Sequence, residues 1–181
     1  ILHGSVVADN AKNVSIRGRG MIDGSIYESW VKEGEYARVP IDFRNCLNIK
    51  VEGIIIHNSN AWCFNSFQSD GAEISNVKII SARPNGDGFT FQSCLNYYVK
   101  DSFVRSWDDS LVVKNYGISS NNITFDNIQV WTDLAQSCEI GYETNKGQLK
   151  NSKITDITFK NITVLYNFHK PVISIHNSDD A

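Results

Sequence analysis

The chain has 181 residues and a formal net charge of -3, from 17 Lys and Arg against 20 Asp and Glu. That length supports one domain with a sizeable core, and the charge excludes a broadly basic nucleic-acid surface or a polybasic membrane patch. No apolar run reaches the roughly 20 residues of a membrane span. Ile occurs 21 times and Val 14 times, against 7 Leu and 8 Ala. Such an excess of β-branched residues excludes a helical bundle and points to strands. With 19 Asn, 12 Gly and only 3 Pro, the turns are built mainly from Asn, Ser, Asp and Gly. The four Cys show no CxxC pairing, which argues against a zinc site or thioredoxin-like chemistry.

Taken in chain order, one pattern recurs: two alternating aliphatic or aromatic positions, a Gly, Asn or Asp, then a further aliphatic. It reads Val14-Ile16-Gly18-Met21, Ile49-Val51-Gly53-Ile56 and Ala72-Ile74-Asn76-Ile79. It continues through Tyr97-Val99-Asp101-Val104, Ile123-Phe125-Asn127-Val130 and Ile157-Phe159-Asn161-Val164. The spacings of 35, 23, 25, 26 and 34 residues fit coils of a parallel solenoid, the two long ones carrying a loop insertion. One insertion, 25–39, contains Trp30 and Tyr36 and is expected to form a cleft wall. A second strand precedes each unit, at Ile41–Arg44, 63–67, 88–91, 111–114, 138–142 and 172–175, again with period-2 alternation. Stacked coils bring like residues about 4.8 Å apart. The recurring corner residue is therefore expected to adopt a left-handed conformation and bond to its equivalent one coil away. The predicted fold is all-β, a right-handed parallel β-helix of about six to seven coils, with 1–181 as a single domain. Neither end shows a polar cap of the kind solenoids need, so the chain is expected to be the central part of a longer protein.

Two segments depart from the repeat: Asn85-Gly86-Asp87-Gly88 and Trp107-Asp108-Asp109-Ser110. Asp87 and Asp108 are 21 residues apart, one coil, and both precede strands of the second series. Asp at a strand start is ordinary turn chemistry, as at Asp70. An adjacent Asp-Asp pair beside a third Asp is electrostatically costly, and turns do not require it. Three carboxylates on one outer face should raise at least one pKa, and a raised acid beside an ionised base is the equipment of glycoside hydrolysis.

These two motifs, at this spacing, resemble the polygalacturonase-type glycoside hydrolases of family 28, over about Val14 to Asn177. They are similar, more loosely, to the β-helical dextranases and blood-group α-galactosidases. The family 28 resemblance implies an inverting glycosidase of a polysaccharide or oligosaccharide. Asp108 would be the general acid, Asp87 and Asp109 would hold and activate water, and Asn85 would orient the group. It implies no metal or organic cofactor, no nucleic-acid or membrane partner, a monomer, and an extracellular or periplasmic location. The sequence also departs from the family. Gln136 stands where the family's Gly-His-Gly His would fall, and Ser174-Ile175-His176 where its Arg-Ile-Lys would fall. A cation pair for a carboxylate is hard to replace with neutral groups, so a neutral sugar is expected rather than polygalacturonate.

Glu139 and Glu143 flank Ile140-Gly141 and either bond sugar hydroxyls or are solvated acids. Alternation puts Glu139 and Gly141 on one face and Tyr142 on the other. Lys114, on the strand after Asp109, steadies the carboxylates, contacts substrate, or forms a plain ion pair. His176 is a candidate sugar ligand, and Trp107, rather than Trp62, is the favoured stacking platform. Cys46 and Cys94 lie two coils apart, too far for a disulfide, and read as buried thiols. Two other classes stay open: a non-catalytic carbohydrate-binding or structural β-helix such as a fibre or tailspike segment, and a polysaccharide lyase. Lys114 alone supports the latter only thinly.

Overall fold

The computed structural model describes residues 1–29, 38–144 and 151–177. The expected cleft wall with Trp30 and Tyr36 lies outside the described residues. The first repeat series forms the strands Lys12–Arg17, Leu47–Glu52, Asp70–Ser75, Leu95–Ser106, Ser120–Thr132 and Ile154–Asn167. They stack in parallel within one ten-stranded sheet. The register follows the sequence pattern: Val14, Ile49, Ala72, Tyr97, Ile123 and Ile157 lie opposite one another, as do Ile16, Val51, Ile74, Val99, Phe125 and Phe159. One position slips. Ile22, not Met21, pairs with Ile56, because the first coil carries one more residue after Gly18. Ile22 is accordingly buried and Met21 only partly so.

The second series forms a seven-stranded parallel sheet that begins one strand earlier than the sequence suggested, at Val6–Asp9. It continues through Ile41–Arg44, Phe64–Phe67, Phe89–Gln92, Leu111–Asn115, Cys138–Thr144 and Ile173–Ile175. Short strands at Leu2–His3, Met21–Asp23, Ile55–His57 and Lys78–Ile80 add a third side, and the long strands of the later coils run through it without a break. No helix occurs among the described residues. The molecule is a parallel β-helix.

Corners explain the heavy use of Asn. Asn76, Asp101, Asn127 and Asn161 all have φ between 52 and 54°, the left-handed region that Asn and Asp tolerate best. Asn127 Nδ2 donates to Asp101 Oδ1 at 2.8 Å, as the stacking argument requires. Asn161 departs from it and donates to Asp126 at 2.9 Å. Gly53 fills the same slot for a steric reason: a Cβ there would sit 2.2 Å from the Gly18 carbonyl oxygen. A second Asn corner, not singled out in the sequence pattern, runs through Asn13, Asn48, Asn96 and Asn122, again at positive φ. In it Asn48 donates to Asn13 and Asn122 to Asn96.

The lumen is filled by the inward half of each alternation. Phe43, Phe64, Phe89, Phe91 and Phe125 are fully buried, and Phe125 stacks on Phe91 at 5.5 Å and on Phe159 at 5.2 Å between ring centroids. Each such ring contributes about 1.5–3 kcal/mol by burial. Cys46, Cys63, Cys94 and Cys138 are buried and free. The Cys46 and Cys94 thiols donate to the carbonyls of Ala8 and Ser66.

Candidate active site

The loops entering the second sheet carry the acids. Phe89 pairs with Leu111, and the Gly88 N–H donates to the Asp109 carbonyl at 2.8 Å. This register sets Asp87 opposite Asp109, at a 22-residue offset, rather than opposite Asp108. Asp108 precedes the pair by one residue, and its Oδ1 accepts the Asp109 N–H at 3.0 Å. All three line one pocket of about 190 Å³, together with Trp62, Asn85, Lys114, Tyr142 and Glu143. Larger hollows, of about 470 and 520 Å³, lie elsewhere and hold none of these acids.

Electrostatics follow from enclosure. Burial drives the Asp87 carboxyl well above the usual carboxylate range; Lys114 opposes this, while Asp108, Asp109 and Glu143 add to it. Burial likewise pushes Asp109 up to about 7, opposed by the Gln136 N–H and aided by the charges of Asp108 and Glu139. That N–H donates to Asp109 Oδ1 at 2.9 Å, so Gln136 acts here through its backbone. Lys114 is nearly buried, with Nζ 2.9 Å from Glu143 Oε2, 3.8 Å from Asp87 Oδ2 and 5.4 Å from the Trp62 ring centroid. Burial alone would lower its pKa, and the charges of Asp87 and Glu143 outweigh that and raise it.

Several sequence expectations are placed differently. Trp107 faces a neighbouring hollow with Arg105, Trp131, Tyr166 and Phe168, and Trp62 is the aromatic wall of the acid pocket. Glu139 is fully buried, so it is neither a solvated acid nor in reach of sugar hydroxyls in this arrangement. Its Oε1 lies 2.7 Å from His176 Nδ1. His176 in turn meets the Tyr142 ring edge-on at 5.9 Å and does not line the acid pocket. Tyr142 was placed on the far face by strict alternation, yet it lines the pocket beside Glu143. Between Val113, opposite Ile140, and Asn115, opposite Thr144, the later strand holds two extra residues, and the bulge re-aims the side chains. Gly141, inside the strand with φ 105°, was the available signal. A Cβ there would lie 2.0 Å from the His176 carbonyl oxygen.

The chain is thus a parallel β-helix with three carboxylates lining one pocket. The pattern of Glycosyl hydrolases family 28 matches residues 3–165, and the chain belongs to that family. It is 23% identical over 195 residues to Polygalacturonase QRT2 of Arabidopsis thaliana, covering 87% of this chain and 44% of that protein. It is 26% identical over 129 residues to Exopolygalacturonase clone GBGE184 of the same plant, covering 66% of this chain and 30% of the relative. The chain thus spans less than half the length of these curated relatives. The family 28 exopolygalacturonase of Yersinia enterocolitica superposes with a TM-score of 0.52 at 13% identity, over 94% of this chain and 49% of that one. That likeness concerns the fold.

Proposed function

We propose that this chain carries the hydrolytic centre of a glycosidase that cleaves a polysaccharide or its oligomers with inversion, outside the cytoplasm. The observation that carries this is the acid pocket: Asp87 and Asp109 face each other across neighbouring coils, Asp108 adjoins them, and enclosure raises the Asp87 and Asp109 carboxyls above the usual carboxylate range. In an inverting reaction one carboxyl protonates the leaving oxygen while another takes a proton from water on the opposite face of the sugar, the two being about 6.5–9.5 Å apart. Asp108, beside the coil-to-coil pair, is assigned as the acid. Asp87 and Asp109 flank the water. Asn85 orients the group, Lys114 and Glu143 hold Asp87 in place, and Trp62 and Tyr142 offer apolar faces to sugar C–H groups.

The pocket sets four acids against Lys114, which already faces two of them. A free uronate carboxylate would be repelled there, which favours a neutral or esterified sugar in the cleaved position, even though the curated relatives bear the names of polygalacturonases. The test is reducing-end release from a panel of pectic and neutral polysaccharides and aryl glycosides, with Asp108→Asn as control. Turnover by the parent that drops about 10²–10⁴-fold in the variant supports the proposal. Binding of the same sugars with no turnover by the parent would favour a non-catalytic carbohydrate-binding β-helix.

A further inference from the structure

Glu139 stands one coil beyond Val112 and opposite Ser174. Its side chain is excluded from solvent, its Oε1 is held by His176, and its Oε2 has no hydrogen-bond partner among the described residues. A carboxylate so enclosed is retained at a cost unless its charge is compensated or used. The His176 ring supplies the hydrogen-bond partner of its Oε1. The Ser174 hydroxyl meets the same Nδ1 at 2.9 Å, and Gly141 allows the main chain of its coil to approach closely. The ring stands between Glu139 and water, with 43% of its own side chain exposed. The charged groups around Asp109 are therefore Asp108 in its own turn, Asp87 from the preceding coil, Lys114 on the strand that follows, and Glu139 from the next coil. Glu143 lines the same pocket and pairs with Lys114, and His176 meets Glu139.

We infer that Glu139 and His176 form a positioning pair behind the acid pocket: the enclosed carboxylate acts through space on the Asp109 carboxyl, and the imidazole fixes and shields that carboxylate. Neither residue touches the sugar. The inference deepens the proposed hydrolytic centre and rests on that reading for its catalytic consequence, but the charge effect is measurable without substrate.

The experiment is an NMR titration of the Asp109 side-chain carboxyl in ¹³C-labelled protein, assigned by its loss in Asp109→Asn, and repeated in Glu139→Gln and His176→Gln. In the parent the expected midpoint is about 7. Glu139→Gln keeps the shape and removes the charge, so the midpoint drops by about half a unit or more, toward the ordinary carboxylate range. A folded Glu139→Gln protein with the parent's midpoint would overturn the inference, because a merely structural role moves stability and not this titration. His176→Gln leaves the Glu139 carboxylate in place without its shield, so the midpoint holds or rises. A fall there overturns the inference as well, and this more exposed variant serves if Glu139→Gln does not fold. On a cleaved substrate the acidic limb of kcat/KM moves with the midpoint. If the parent cleaves nothing, the hydrolase proposal fails while the titration still decides the pair.

Discussion

Replacing Asp109 by Asn should abolish turnover and stabilise the fold at the same time. The Asp109 carboxyl is raised from 3.8 to about 7 in the folded chain. The folded state therefore binds more protons than the unfolded one between those values, and stability falls as pH rises through that window. Three units at about 1.36 kcal/mol each give a ceiling of about 4 kcal/mol above pH 7. Asp109 is only partly buried, and screening by water reduces this to about 2 kcal/mol. Asn keeps the acceptor for the Gln136 N–H and is neutral at every pH. Urea unfolding followed by tryptophan fluorescence should find Asp109→Asn more stable than the parent by about 2 kcal/mol at pH 8, or about 4–8 °C in Tm for a chain of this size. At pH 2.5 or below, where the carboxyl is protonated in both states, the two should match closely. A variant no more stable than the parent at pH 8 would refute the argument that enclosure of the acids stores energy in this pocket.

The same proton predicts the pH profile. Asp109 must give it up to take a proton from water, so kcat/KM for an uncharged substrate should rise as pH rises through about 7; activity that instead disappears above 7 would mean that Asp109 works protonated and that another group activates the water. Unsubstituted polygalacturonate should be cleaved with kcat/KM at least about tenfold below its esterified form, a difference of about 1.4 kcal/mol, measured by reducing-end release; equal rates would show that a cation outside this pocket takes the carboxylate. Phe125→Ala removes a fully buried ring stacked between Phe91 and Phe159 and should cost about 3–5 kcal/mol in urea unfolding. A loss below about 1 kcal/mol would mean that the lumen collapses around the gap.

The architecture was legible because coils repeat. Period-2 alternation and a corner residue every turn leave a strong signal, and the observed register follows it from Val14 to Phe159. Asp87 was likewise legible as a coil neighbour of the Asp108-Asp109 pair, though the 21-residue count aligned it with Asp108, one residue short of the observed partner Asp109. What alternation could not supply was irregularity. The extra residue after Gly18 moved Ile22 into the place expected for Met21. The two extra residues beside Gly141 turned Tyr142 into the pocket. The fates of Trp62 and Trp107 also depended on the path of loops, which carry no period. Burial of Glu139 was invisible for a related reason: an outward-facing strand position is exposed only if the next coil and its loops leave it so, and His176 does not.

The central claim is that three aspartates cleave a glycosidic bond by a single displacement with water, and anomeric stereochemistry tests it most directly. Proton NMR of the first-formed product, recorded on a cleaved substrate before mutarotation, should show the anomeric configuration inverted, as expected when water attacks from between Asp87 and Asp109. Retention would mean that one carboxylate attacks the sugar itself, with the acids only about 5–5.5 Å apart in the working enzyme, and would contradict the account.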